Sequence, residues 1–148
     1  MKHLRLAALA AFSLAIASPA LAADEYPVDP GDYVSIGMIT VDDGHDLDYA
    51  NYLAGNWRKQ QDFAKAQGWI SGYEILTNEY PRAGEPDYYL VTRFPRFADP
   101  AEEKKRDEAY YAHMQTNVVQ MQAGSADRAK YRQQVGSQLL RAWVWKKK

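Results

Sequence analysis

Alternating apolar and polar residues predict four β-strands along the chain. In the first, residues 33–41, the side chains of Val34, Ile36 and Met38 fall on one face and those of the intervening residues on the other, which is the two-residue period of a strand. The loop at residues 81–86 contains two prolines and a glycine, and it predicts a hairpin between the strands that flank it. The other three predicted strands are residues 69–80, 88–94 and 139–145.

Apolar residues that recur every three or four positions predict two long helices. The first runs from Asp46, a suitable N-cap, to Gln67, and the glycine that follows is expected to end it. The second begins at Asp99 and runs to about Met114, because Asp99 precedes a proline at the first helical position and an acidic residue two positions further on. Two later segments are also compatible with helix, the second as a separate short helix: residues 115–124 and 126–135.

The predicted order β-α-β-β-α-β, with an extra short helix before the last strand, is that of a ferredoxin-like α+β fold. Such a fold has a four-stranded antiparallel sheet with helices on one face. In the last strand Arg141, Trp143 and Trp145 alternate with three apolar residues, and we expect these three side chains on the helix-free face. Because so aromatic a patch is unsuited to water, we expect a second copy to cover it through a two-fold axis.

The first 22 residues have the pattern of a secretory signal peptide. A short basic start precedes an apolar run of residues 6–17, and small residues at Ala20 and Ala22 predict cleavage after Ala22. A run of about a dozen residues is shorter than the roughly 20 that span a bilayer, so we expect no membrane anchor after cleavage. The mature protein is expected to be periplasmic or secreted, with an exposed lead-in at residues 23–32 and a single domain at 33–148.

Composition excludes several classes of function. The 148 residues include no cysteine, which rules out a disulfide scaffold, a cysteine-based zinc site and a thiol nucleophile. The formal net charge of −1 gives no sign of a basic surface for nucleic acid. The sequence also lacks a serine-hydrolase elbow, a His-Glu-x-x-His motif, a phosphate-binding loop and a dinucleotide fingerprint.

The aromatic residues are the most suggestive candidates for binding. They could line a pocket for a flat or apolar ligand, with Arg93 or Arg141 pairing an anionic group. The alternative is that they form the core and a dimer interface, where tryptophan, tyrosine and arginine are enriched. The candidate ligand-binding residues are Trp57, Tyr73, Tyr89, Arg93, Arg141, Trp143 and Trp145.

Two further side chains are weak catalytic candidates. His113, near the end of the second long helix, could bind haem iron or act as a base, or it could be a half-buried histidine at a helix end. Glu74 lies on an apolar strand face, where it could act as a base or form an ion pair with an arginine. The aspartate-rich segment 42–48 could hold calcium, but a turn followed by an acidic first helical turn explains all its residues. We therefore expect no metal site and no cofactor, with haem at His113 as the open alternative.

The strand order, the aromatic last strand and the Gly68-Trp69-Ile70-Ser71-Gly72-Tyr73-Glu74 segment resemble the dimeric α/β-barrel superfamily. This superfamily includes antibiotic-biosynthesis-type monooxygenases, stress-responsive barrel proteins and haem-degrading enzymes. The resemblance covers residues 33–145 and implies a homodimer with a pocket between each sheet and its helices or inside the barrel. It matches no subfamily's active-site pattern.

Two functions from different classes follow from the composition and the resemblance. The first is binding of a small aromatic or apolar ligand in the barrel pocket, with the protein itself as the only macromolecular partner. The second is an enzyme similar to the cofactor-independent monooxygenases or the haem-handling members, assisted by His113, Trp57 or Glu74. A purely structural role through dimerisation is a third alternative.

Overall fold

A computed structural model of the chain describes residues 26–147. The predicted signal peptide lies outside the described residues. The described part is α+β, with four strands: β1 (Val28–Val41), β2 (Gly72–Thr77), β3 (Tyr88–Phe94) and β4 (Arg132–Trp145). The helices are α1 (Asp46–Tyr52), α2 (Arg58–Ala66), α3 (Pro100–Met114) and α4 (Val118–Arg128). A π-helical turn, Leu53–Trp57, joins α1 and α2 into one continuous helix.

The four strands form one antiparallel sheet in the order β2-β3-β1-β4. This arrangement is compatible with the ferredoxin-like fold that the sequence predicts, and it confirms the α+β class and the hairpin between β2 and β3. The bounds of β3 agree with the prediction at both ends. The second long helix also agrees: the Asp99 carboxylate accepts hydrogen bonds from the backbone N–H groups of Ala101 and Glu102, and Pro100 is the first helical residue.

One face of the sheet carries the helices and most of the core. Ile39 of β1 packs there against Tyr49, Leu53 and Trp57, which follow one another at four-residue intervals along the helix. Burial raises the pKa of the Tyr49 phenol to about 12, so this hydroxyl stays neutral. Partly buried residues packed around this cluster are Val41, Tyr52, Tyr73, Tyr88, Leu90 and Tyr131.

The opposite face of the sheet carries the strand residues that alternate with the helix-facing ones. Val91 of β3 lies between Ile36 of β1 and Glu74 of β2 and is only 2% exposed. Towards the two edges, Leu76 of β2 and Leu140 of β4 are each 49% exposed. This face is therefore apolar at its centre and open at both margins. We call it the helix-free face.

The strand β1 begins at Val28, five residues earlier than predicted, so residues 28–32 of the expected lead-in belong to the sheet. A bulge between Pro30 and Tyr33 makes this extension possible, since a bulge is one of the few places in a sheet that admits proline. At Gly31 a Cβ atom would lie 2.8 Å from a Val144 methyl group. Glycine is therefore required for β1 and β4 to approach each other here. The sequence did not predict this part of the strand, because residues 28–32 show no two-residue alternation and contain a proline.

The prediction of a short helix at residues 126–135 is wrong. The helix α4 instead spans Val118–Arg128, with the Asn117 side chain accepting a hydrogen bond from the backbone N–H of Gln120. The chain then enters β4 at Arg132, which pairs with Val41. Long-range pairing with β1 decides the conformation of this segment over its local helical preference. For the same reason β4 is seven residues longer than predicted, whereas β2 is confined to Gly72–Thr77.

The expected face of the last strand is also wrong. Arg141 pairs with Tyr33, which lies on the same side of β1 as Ile39, whereas Leu140 pairs with Val34 on the helix-free face. Arg141, and with it Trp143 and Trp145 by alternation, therefore points to the side that carries the helices. The helices do not extend over β4, since Trp143 is 69% exposed. The alternation along β4 was predicted correctly. Which set of side chains faces the helices, however, depends on the pairing of β4 with β1.

Candidate functional site

The π-helical turn forms one side of an apolar cleft. Its signature is a hydrogen bond from the backbone N–H of Arg58 to the carbonyl of Leu53, five residues earlier. A π turn inserts one extra residue into a helix and is frequently found at functional sites. Here both Leu53 and Trp57 are buried against the sheet. The sequence has no signature for this turn, and periodicity alone predicted an ordinary helix.

The cleft lies between this helix and the edge strand β2 and has a volume of about 380 Å³. Its wall is formed by Trp57 and Tyr73, whose rings meet edge to face with centroids 5.4 Å apart. The small side chains of Ala50 and Ala54 leave the space open. The complete lining is Ala50, Leu53, Ala54, Trp57, Arg58, Tyr73 and Ile75.

The rim of the cleft carries its only polar groups among the described lining residues. The Tyr73 hydroxyl donates a hydrogen bond to the Asp62 carboxylate, and this bond raises the pKa of Tyr73. The Arg58 Nε atom lies 3.7 Å from the same carboxylate. The cleft therefore combines an apolar floor with a phenol and a guanidinium at its entrance, and Asp62 holds both in place.

The structure places the seven predicted ligand-binding residues in three separate regions. Trp57 and Tyr73 meet in the cleft. Tyr89 and Arg93 alternate with the helix-facing residues of β3 and lie on the helix-free face. The remaining three are spread along β4, and they are Arg141, Trp143 and Trp145. One protomer therefore does not gather the aromatic residues into a single pocket.

The β4 residues have local partners of their own. The Arg141 guanidinium lies 4.5 Å from the centroid of the Tyr33 ring and donates hydrogen bonds to the Tyr33 hydroxyl and the Gly31 carbonyl. Trp143 packs edge to face on Tyr26 at 6.0 Å and forms a shallow apolar groove with it. Trp145 is 77% exposed. The last strand thus presents aromatic side chains to its surroundings rather than to an enclosed cavity.

Glu74 forms an ion pair with Arg93 of the neighbouring strand. The Arg93 Nη2 atom lies 2.7 Å from the carboxylate, and the two side chains are 42% and 43% exposed. Glu74 is on the helix-free face, whereas the cleft at Trp57 is on the helix-bearing side. Of the two interpretations of this carboxylate, the ion pair is the one observed.

His113 lies in a groove on the outer side of the helices. Its imidazole stacks on the Phe63 ring with centroids 4.1 Å apart and planes inclined by 11°. The groove has a volume of about 520 Å³, and charged side chains form much of its lining: Arg58, Lys59 and Asp62. The other lining residues are uncharged, and they include Phe63 and His113 themselves. Haem at His113 stays a prediction.

The aspartate-rich segment 42–48 forms a turn and a helix start. The His45 backbone N–H donates to the Asp42 carbonyl, and the His45 ring is 2.8 Å from the Asp48 carboxylate. His45, rather than the predicted Asp46, occupies the N-cap position. Within residues 26–147 no group of three or more His, Asp or Glu side chains is placed to hold a metal ion.

The sequence missed the five residues that complete the cleft, namely Ala50, Leu53, Ala54, Arg58 and Ile75. The available signal was the pair of alanines spaced four apart beside Trp57, which leaves a gap on an otherwise bulky helix stripe. Across residues 26–147, none of the helices has the length and apolar character that crossing a membrane requires. No protein-family model, no curated protein and no solved structure matches the chain.

Proposed function

We propose that this chain is an exported homodimeric protein of the dimeric α/β-barrel superfamily that binds a small aromatic or apolar molecule. The ligand would occupy the cleft between the π-helical turn and β2. The observation that carries this proposal is the edge-to-face pair of Trp57 and Tyr73 in the wall of a mostly apolar cleft. Support for export comes from the pattern of residues 1–22.

The chemistry of the cleft favours a flat or apolar ligand. The Tyr73 ring is only partly buried, so an aromatic ring of a ligand can stack on it. A volume of about 380 Å³ matches a molecule of one or two rings. The Tyr73 hydroxyl and the Arg58 guanidinium at the rim could orient a single polar substituent of the ligand.

The distribution of exposed apolar side chains supports a homodimer. Monomeric soluble proteins rarely expose large contiguous apolar patches, yet β4 exposes several large apolar side chains on both of its sides. A long edge strand with free backbone groups is also a template for association. The large exposed apolar residues of β4 are Val135, Leu139, Leu140, Trp143, Val144 and Trp145. A second copy would cover them.

An enzyme of the same fold is the alternative that the resemblance implies, and the placement of its candidate groups does not favour it. Glu74 lies on the helix-free face, and His113 lies in the outer groove beside Phe63. Neither lines the cleft, and the third candidate, Trp57, lines it but carries no acidic or basic group. A cofactor-independent reaction would have to rely on the hydrogen-bonded pair of Tyr73 and Asp62 at the rim.

Filling the cleft tests the proposal. Indole and 2-naphthol are suitable probes, and saturation-transfer NMR with the purified mature protein detects their binding. The variant Ala54→Leu places a larger side chain in the cleft at an exposed helix position. We expect the wild-type protein to give saturation-transfer signals from at least one probe, and Ala54→Leu to abolish them.

The matched control is Ala112→Leu, the same change at an exposed position of α3 that does not line the cleft. This variant should retain the wild-type signals. Equal signals from all three proteins would show that the probes bind elsewhere and would overturn the assignment of the cleft. The absence of any signal from the wild-type protein would overturn it as well.

A further inference from the structure

A second cavity of different chemistry lies between α3, α4 and the long first helix. Its volume is about 590 Å³, larger than that of the cleft. Most of its lining is polar: four side-chain amides and four hydroxyl groups surround it, together with two methionines, a glycine and one arginine. These residues are Tyr52, Asn56, Gln60, Tyr110, Met114, Gln115, Thr116, Gln120, Met121, Gly124, Ser125 and Arg128.

The cavity has one charged group, and that group lacks an acidic partner. Among the described residues that line it, Arg128 is the only ionised side chain and none is Asp or Glu. The Arg128 Nε atom is buried and has no hydrogen-bond partner. Its guanidinium lies 4.1 Å from the centroid of the Tyr52 ring, which supports the plane of the group but accepts no conventional hydrogen bond. The cavity therefore carries a guanidinium with no carboxylate of the lining beside it, and such a group can pair with an anionic ligand.

The backbone beside the cavity brings its polar groups together. Gly124 is in the middle of α4, and a Cβ there would lie 3.3 Å from the Arg128 Nη1 atom. Gln115 is the left-handed C-cap that ends α3, with φ of 52°. The turn that follows places Gln115 and Thr116 in the lining of the cavity.

The remaining lining groups are neutral donors and acceptors. Burial raises the pKa of the Tyr110 phenol, and a hydrogen bond with Gln60 acts in the opposite direction. The phenol therefore stays protonated at neutral pH. The amides offer both N–H donors and carbonyl acceptors. The amides and hydroxyls can therefore hydrogen-bond to hydroxyl groups of a ligand, whereas Arg128 can pair with a carboxylate.

We propose that the cavity between α3, α4 and the first helix binds a small polyhydroxylated carboxylate, with Arg128 pairing the carboxylate group. The Arg128 guanidinium, which has no carboxylate beside it among the described residues that line the cavity, donates to the carboxylate oxygens. The amides and hydroxyls of the surrounding helices hold the rest of the molecule. This site is separate from the cleft at Trp57 and Tyr73 in both lining and chemistry, so neither proposal depends on the other.

The side-chain Nε–H signal of Arg128 provides a direct test. It can be assigned in a ¹H–¹⁵N spectrum of the labelled mature protein through its loss in Arg128→Gln. Titration with sodium glucuronate and sodium gluconate should shift it saturably. Glucose at the same concentrations and ionic strength should bind at least about tenfold more weakly, since it lacks the group that forms the charge-assisted hydrogen bond.

Three variants distinguish binding at this cavity from a general effect of charge. Arg128→Gln should abolish the saturable backbone shifts around the cavity, whereas Arg82→Gln, which removes the same charge from the loop between β2 and β3, should not. Gly124→Ala leaves the charge in place but displaces the guanidinium, and it should weaken glucuronate binding several-fold. Binding of the aromatic probes in the cleft should be unchanged in all three.

The proposal is overturned if neither carboxylate produces a saturable shift of the Nε–H signal. Equal affinity for glucose and glucuronate would overturn the role of the carboxylate. Equal losses of glucuronate affinity in Arg128→Gln and Arg82→Gln would show a general effect of net charge rather than binding at the cavity. If Arg128→Gln does not fold, Ser125→Leu decides, because it fills the cavity beside Arg128 from an exposed position of α4, and unchanged glucuronate affinity in that variant would show that the ligand does not bind in the cavity.

Discussion

The helix-covered centre of the sheet and the strand β4 are stabilised in different ways. In the centre, β1 and β3 place their side chains against the long helix, where Tyr49, Leu53 and Trp57 are buried. The strand β4 is paired with β1 along most of its length, yet its large apolar residues remain half exposed or more. Backbone hydrogen bonds hold β4, whereas side-chain burial holds the centre.

This difference supports the proposal that a second copy covers β4. Backbone pairing contributes modestly to net stability because it replaces hydrogen bonds to water. Burial of apolar side chains contributes more, roughly 1.5–3 kcal/mol for each fully buried leucine or valine. A strand as apolar as β4 therefore has most of its stabilising potential unused in a single protomer. The proposed second copy would use it.

The difference between the two regions is tested most strongly by making the same truncation in both. Leu53→Ala removes a side chain that is 4% exposed, and we expect it to lower the free energy of unfolding by about 2–5 kcal/mol. Leu139→Ala on β4, where the leucine is 55% exposed, should cost less than about 1 kcal/mol in dilute protein. Urea denaturation followed by tryptophan fluorescence at nanomolar concentration, well below the concentration at which the dimer is expected, measures both.

The control for these truncations is Leu47→Ala in α1, where the leucine is 72% exposed. It should change the free energy of unfolding by no more than about 0.5 kcal/mol. If the cost of Leu139→Ala in dilute protein equalled that of Leu53→Ala, β4 would be buried within the protomer. The contrast between the two regions would then be wrong.

A charge on the helix-free face sharpens the comparison further. Leu140→Asp places a carboxylate on β4 beside Val34, where a partner would have to bury it unpaired. We expect the dimerisation constant to fall by at least about tenfold, or 1.4 kcal/mol. Val119→Asp makes a similar change on α4, at a residue 75% exposed, and should leave the constant unchanged. Sedimentation velocity over a concentration series would contradict the account if both variants associated like the wild type.

The smallest expected effect concerns an ion-pair network away from both regions. Hydrogen bonds from Arg96 and Arg106 lower the pKa of Glu102 to about 2 from its usual 4.5. Since the folded-state pKa is depressed, the stabilisation is present above pH 4.5 and is lost as the pH falls towards 2. In Glu102→Gln, thermal unfolding between these pH values should depend less steeply on pH. An unchanged dependence would show that the network contributes nothing to acid stability.

Much of the fold could be predicted because its signals are local. Alternation in β1 and β3 sets the faces of both strands, and the Asp99-Pro100 pair sets the start of α3. The errors arose where pairing partners distant in sequence decide the structure. Residues 132–138 form strand because β1 lies beside them. The face on which Arg141 lies depends on its register with Tyr33, which no local pattern contains.

The candidate site was predictable only in part. The sequence marked Trp57 and Tyr73 as pocket aromatics, because both are large residues on predicted elements. It could not predict that the two rings meet. Their contact depends on the π turn, which places Leu53 and Trp57 beside β2. It also could not distinguish these two from the aromatics of β4. That distinction depends on which side chains the helices cover, and coverage is a property of the assembled fold.

The claim that β4 is completed by a second copy is tested most directly by the mass of the purified mature protein in solution. Multi-angle light scattering on a size-exclusion column, at low micromolar concentration, gives that mass independently of shape. The account predicts twice the mass of the protomer. A single species with the mass of one protomer and a cooperative unfolding transition would contradict it, because the exposed apolar side chains of β4 would then be stable in water.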